Sequence, residues 1–83
     1  MQDTHITAHG EASWNRLPDG IKEKVLHALQ TPTLDIYKKP LRGRPGIFSV
    51  RVDGLRIVFT EKNSVPTILS VLTASEFNAL GGA

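Results

Sequence analysis

The segment FSVRVDGLRIVF, residues 48–59, leaves the chain few ways to fold. Two runs of alternating apolar residues flank Asp53-Gly54, a dipeptide suited to the primed two-residue turn, whose central residues both need positive φ. Such a turn sets the pairing by counting: Val52 with Leu55, Arg51 with Arg56, Val50 with Ile57, Ser49 with Val58, Phe48 with Phe59. Side chains alternate, so Phe48, Val50, Val52, Leu55, Ile57 and Phe59 share one wholly apolar face that has to be covered. A slip of one residue would carry arginine into that face, so the register is strongly specified. The opposite face then carries Ser49, Arg51, Arg56 and Val58. Facing like charges cost a hairpin roughly 0.2–1 kcal/mol. Side by side, two guanidiniums also form a fork that matches a phosphate, since each donates paired N–H groups. The alternative is that both splay into water and bind nothing specific; the register alone leaves both readings open.

Cover for the apolar face comes from helices. In the segment 21–30, Ile21, Val25 and Leu29 recur at i, i+4, i+8 and form one stripe, while Lys22, Glu23 and Lys24 face water. Asp19 is the expected N-cap, with Glu23 in the first turn. Pro32 disfavours helix in the residue before it and ends the element. Upstream, EASWNRL (Glu11–Leu17) forms a short helix with Trp14 and Leu17 one turn apart, closed by Pro18. THITA (Thr4–Ala8) reads as a first strand, with His5 and His9 at or near its ends. Trp14, Phe48 and Phe59 belong to the core.

Downstream, Leu34–Pro45 is a loop, with LRGRPG (41–46) turning into the hairpin. Strands are expected at Ile47–Val52 and Leu55–Thr60. EKNS (61–64) is a second turn, and Val65–Thr73 a third strand with Pro66 near its start, where no ladder N–H is needed. ASEFNAL adds a terminal turn, and Gly81-Gly82-Ala83 should fray. The expected class is α+β, in the order β-α-α-β-β-β, with two helices packed on one face of an antiparallel sheet.

At 83 residues the chain makes one domain, 1–83. A chain this short buries only about 60–65% of its unfolded surface, so its stability margin is thin. It has no cysteine, which excludes disulfides and thiolate zinc sites; no metal or cofactor is expected. No run approaches the roughly 20 apolar residues of a membrane span, and MQDTHITAHGEAS lacks the basic-then-apolar order of a signal peptide. The expected address is the cytoplasm.

The net charge is +2, yet six of the ten basic residues (Lys38, Lys39, Arg42, Arg44, Arg51, Arg56) fall within nineteen positions against one acid, Asp53. Clustered Lys and Arg are the electrostatic footprint of nucleic-acid binding; a solvated basic loop is the competing reading. Tyr37, next to Lys38, is expected as a half-buried loop anchor, with base stacking as the alternative.

The segment KPLRGRPGIFSVRVDGLRIVFTEKNSVPTILSVL, after a strand and a helix pair, resembles the RelE/ParE superfamily of toxins from type II toxin–antitoxin pairs. The specific part is Leu41–Phe59: leucine, a basic residue and glycine in the loop, an aromatic in the next strand, a tight turn, then arginine, two aliphatics and an aromatic. The resemblance implies the RelE-like fold, an antitoxin partner and, for the RelE kind, ribosome-dependent cleavage of mRNA by 2′-hydroxyl attack on the adjacent phosphate. It implies catalytic roles for Arg51 and Arg56, and RNA-backbone contacts for Lys38, Lys39, Arg42 and Arg44. Ser49 stands where the family often has lysine, Thr73, Ala74 and Ser75 where it has basic residues, and Phe77 where it has a tyrosine. His5, His9, Lys38, Lys39 and Glu76 are the remaining candidates for proton transfer. The incomplete set keeps two alternatives open: a ParE-like inhibitor of a protein such as gyrase, and an inactive homologue that binds only antitoxin or RNA.

Overall fold

The computed structural model describes residues 4–31, 37–41, 43–63 and 65–79. Arg42, Pro32, Ser64, the Gly81–Ala83 tail and residues 34–36 of the expected 34–45 loop lie outside these residues. The elements in chain order are β1 (His5–Ile6), α1 (Ala8–Asn15), α2 (Asp19–Gln30), β2 (Lys39–Pro40), β3 (Ile47–Val52), β4 (Leu55–Lys62), β5 (Val65–Thr73) and α3 (Ala74–Ala79).

Asp53 and Gly54 take φ of 52° and 82°, the primed turn that their residue types favour. β3 and β4 pair in the register obtained by counting, Val52 opposite Leu55 through Phe48 opposite Phe59. A second tight turn at Asn63 (φ 52°) returns the chain so that Lys62 pairs with Val65. β1 runs parallel to β5 and β2 antiparallel to β3, completing a five-stranded sheet in the order β1-β5-β4-β3-β2.

The apolar face of the hairpin meets the helices. Val25 and Leu29 of α2 and Trp14 of α1 pack with Val50, Val52, Ile57, Phe59, Ile68 and Val71; Val25, Ile57, Phe59 and Ile68 are wholly buried. Phe48 and Phe59, opposite each other across the strands, bring their ring centroids to 5.9 Å. Fully burying each of these side chains stabilises the fold by about 1.5–3 kcal/mol.

The first strand is shorter than expected because Thr7 serves the helix instead. Its hydroxyl accepts from the Gly10 N–H, capping α1, while its own N–H donates to the Ile68 carbonyl. α1 therefore starts at Ala8 rather than Glu11 and ends at Asn15. Asp19 is not an N-cap: Pro18 occupies that position in extended backbone, and Asp19 opens the first helical turn, where its charge still favours the helix dipole. Within the expected loop, Lys39 and Pro40 pair with β3, and the expected terminal turn is a helix.

α1 also closes the edge that β1 leaves open. Beyond Ile68, the Val71 N–H donates to Ser13 Oγ at 3.2 Å, and that hydroxyl donates onward to the Gly10 carbonyl. Here β5 bulges: Val58 faces Ser70 and Phe59 faces Ile68, leaving Leu69 unpaired. The helix approaches so closely that a Cβ on Gly10 would lie 2.9 Å from the Leu69 carbonyl oxygen.

α3 is held at its start by a reciprocal cap. The Thr73 N–H donates to the Glu76 carboxylate (2.9 Å) and the Glu76 N–H donates to the Thr73 hydroxyl (3.1 Å). The Thr73 backbone bond is the main cause that lowers the Glu76 pKa below its ordinary value, with help from the Thr73 hydroxyl and the Arg16 charge.

Two outcomes are expected. Gly10→Ala forces backbone apart and should lower stability by about 1–3 kcal/mol in urea denaturation, whereas Gly20→Ala, with open space around it, should stay within about 1 kcal/mol of wild type. Because its folded pKa is depressed, Glu76 contributes stability above the ordinary carboxylate pKa, and loses it as pH falls through the folded value. Glu76→Gln should therefore be less stable than wild type at neutral pH, with the gap closing in acid, read from urea midpoints across the pH range.

Candidate functional site

Residues paired across a sheet share a face, so the strand register places the chemistry. Lys39 faces Ser49, which faces Val58, which faces Ser70; the next row is Arg51, Arg56 and Leu72. These rows alternate with Val50, Val52, Ile57 and Phe59, and so lie on the side of the sheet away from the α1–α2 core. Two of the expected cations, Arg51 and Arg56, stand side by side there, and Lys39 joins them from the edge strand. Arg51 and Lys39 are exposed, and Arg56 is half-buried.

This face has a floor. Ser49 and Val58 are 3% and 7% exposed, and Phe77 of α3 is 3% exposed. Arg56 Cζ lies 5.2 Å from the Phe77 ring centroid, so α3 packs on the arginine side of the sheet, opposite the other two helices. The two expected helices share one face of the sheet, and this third helix, where a terminal turn was expected, packs on the other. A cation against an aromatic face gains about 0.5–1 kcal/mol at an exposed site and more when desolvated. That is comparable with the repulsion between opposed arginines, roughly 0.2–1 kcal/mol. The ring thus offsets the cost that the hairpin register imposes.

Neither arginine has a carboxylate partner among the described residues. Lys24 pairs with Asp53 at 3.6 Å and Lys38 with Glu61 at 2.6 Å, and neither pair involves Arg51 or Arg56. Asp53, the one acid within the basic segment, turns to Lys24 of α2. The arginine face keeps its positive charge.

The other basic residues divide. Lys38 is one residue from Lys39 and therefore points the other way: its ammonium sits 4.6 Å from the Phe48 ring centroid and is bonded to Glu61, with about a fifth of each side chain exposed. It is not on the arginine face. Arg44 is exposed in the turn, where its N–H bonds the Leu41 carbonyl and its carbonyl accepts from Ile47. Arg42 lies outside the described residues. Tyr37 is 66% exposed, not the half-buried anchor expected, since Lys38 takes the inward position beside it.

Of the five candidates for proton transfer, the strand register brings Lys39 to the arginine face, and Glu76 follows with α3. His5 lies on β1, at the far edge of the sheet from β2, and His9 is exposed on α1. Lys38 is paired, and Glu76 is committed as an ionised cap. No group of three or more His, Asp or Glu side chains converges as a metal site among the described residues, and no helix among them is long and apolar enough to cross a membrane. Sequence reasoning missed the role of α3 on this face. The signal was present in Thr73-Ala74-Ser75-Glu76, the capping-box pattern, followed directly by the aromatic Phe77.

No protein-family model and no curated protein matches the chain. Solved structures do match. The RelBE toxin–antitoxin complex of Mycobacterium tuberculosis is similar at a TM-score of 0.65 and 23% identity, over 87% of this chain and 96% of that one. The intact RelBE complex of E. coli is similar at 0.64 and 21% identity, over 89% and 98%. The E. coli toxin RelE in its free state, as a double arginine-to-alanine variant, gives 0.67 at 20% identity over 99% and 93%. The likeness spans most of this chain and nearly all of each matched chain, and the chain has the α+β fold of the RelE toxins.

Proposed function

We propose that this chain is the toxin of a type II toxin–antitoxin pair and acts as a ribosome-dependent mRNA endoribonuclease. The observation that carries this reading is the pair Arg51 and Arg56, adjacent on one sheet face without a carboxylate partner among the described residues. Attack of a 2′-hydroxyl on the neighbouring phosphate builds negative charge on the phosphoryl oxygens. Two guanidiniums fixed beside each other offer donors to that charge before the reaction begins. Arg51 and Arg56 bind the scissile phosphate in this reading, and Lys39 adds a third cation and a group able to move a proton. Lys38 serves by bracing the loop on Phe48 and Glu61 rather than by touching RNA. Arg44 extends the basic surface toward ribosomal or messenger RNA backbone; Arg42, expected to do the same, lies outside the described residues.

Two of the RelE structures with which this fold aligns were solved as toxin–antitoxin complexes. That supports an antitoxin partner here, with an acidic segment lying across the hairpin and the basic loop. Binding the folded chain alone would raise its stability by mass action. The compartment consistent with ribosomes and mRNA is the cytoplasm.

A second reading is favoured by one feature. The helix that packs on Arg56 presents a buried phenylalanine, which has no hydroxyl to donate, and its exposed residues are Ala74, Ser75, Glu76, Asn78 and Ala79, without a Lys, Arg or His among them. A ParE-like inhibitor of a protein target, or a homologue that only binds antitoxin, needs no complete acid–base set.

Induced expression should halt growth, with primer extension showing cleaved mRNA before any loss of DNA supercoiling. Arg51→Ala and Arg56→Ala should each lower cleavage by about 10²–10³-fold, the usual effect of removing a donor to a developing oxyanion. Full toxicity in both variants would overturn the assignment. Loss of supercoiling first would favour the gyrase reading.

A further inference from the structure

Arg56 faces a like charge across the hairpin, so an unsupported side chain there would swing into water, away from Arg51. It does not stand unsupported. Its guanidinium lies against the ring of Phe77, the buried residue of α3. The other five residues of that helix, Ala74, Ser75, Glu76, Asn78 and Ala79, are all exposed. A helix of six residues cannot persist by itself. The reciprocal Thr73–Glu76 cap holds its start, and Phe77 is the side chain that seats it on the sheet.

We propose that Phe77 is a positioning residue that aims Arg56 at an anionic ligand, the phosphate of a single-stranded RNA. This rests on the reading of Arg51 and Arg56 as phosphate ligands and deepens it. The choice of side chain is informative. A carboxylate at this place would hold Arg56 as firmly, yet would occupy its N–H donors and cancel its charge. An aromatic face attracts the cation through its quadrupole and accepts none of those donors in strong hydrogen bonds. Arg56 is therefore fixed in direction while its in-plane N–H groups stay available, as a bidentate phosphate ligand requires. Arg51, exposed and without such a ring, is the more mobile partner and closes on the ligand from the other strand. The hydroxyl absent from Phe77 is not needed for this role.

The test uses the full chain, three single variants and one double: Phe77→Tyr keeps the ring, Phe77→Leu keeps apolar bulk without it, Arg56→Ala removes the guided group, and the last two are combined. The first readout needs no ligand. In wild type, the Arg56 side-chain proton resonances should be displaced by the ring current, retained in Phe77→Tyr and lost in Phe77→Leu, while those of Arg51 stay put. The second readout is affinity for a short single-stranded RNA. Phe77→Leu should weaken it about fivefold, the size of one cation–π contact, Phe77→Tyr should stay within about twofold, and adding Phe77→Leu to Arg56→Ala should cost nothing more. Far-ultraviolet circular dichroism checks that each variant folds; should Phe77→Leu fail, the wild-type and Phe77→Tyr resonances still decide. Undisplaced Arg56 resonances in wild type overturn the proposal, as does Phe77→Leu binding RNA like wild type while Arg56→Ala does not. If wild type and Arg56→Ala bind RNA equally poorly, the phosphate reading falls, and with it the ligand assigned to Arg56. Displaced Arg56 resonances would still uphold the alignment by Phe77.

Discussion

The turn at Asp53-Gly54 is the constraint on which the rest of this structure depends. Two successive residues with positive φ reverse the chain in the hand that suits twisted strands. Once they do, every pairing from Val52–Leu55 to Ile47–Thr60 is settled. That register collects the apolar residues on one side and so creates the surface on which α1 and α2 fold. The same operation forces Arg51 against Arg56 on the other side. Core and charged face are two consequences of a single backbone reversal.

The charged face persists because its cost is met locally rather than through neutralisation. The ring of Phe77 takes up Arg56, and the acids near in sequence are engaged elsewhere, Asp53 with Lys24 and Glu61 with Lys38. Had either acid turned to the arginines, the hairpin would be quieter and the face would have little to offer an anion. Lys38 and Lys39 illustrate the same division one residue apart. Strand alternation sends one onto Phe48 and Glu61 and leaves the other beside the arginines. Charge clustered along a sequence is thus sorted by the sheet into a bracing part and an exposed part.

The sheet itself is closed by small devices. Thr7 caps α1 and ties it to Ile68, Ser13 satisfies the Val71 N–H where β1 has ended, and Gly10 lets the helix rest on the bulged backbone at Leu69. Unpaired strand edges otherwise invite association with other chains. In this fold α1 covers one end of the open edge of β5, and a two-residue strand containing Pro40 forms the opposite margin, a strand too short to template much pairing.

What the sequence determined by itself was local and periodic. Asp-Gly dictated the turn, alternation dictated the buried face and the arginine pair, and the i, i+4, i+8 stripe of Ile21, Val25 and Leu29 dictated the helix beneath. These depend on neighbours within a few residues, where steric limits and hydrophobic period act directly. The tertiary structure decided what depends on distant partners. Thr7 went to a cap because Ile68, far along the chain, was there to receive its N–H. Lys38 left the basic surface because Glu61 and Phe48 lay within reach on other strands. Above all, the short C-terminal helix, which its own capping box can start, was set on the arginine side by the place that Arg56 and the strands β4 and β5 offered Phe77. No periodicity within six residues carries that information; it exists only once the sheet has formed.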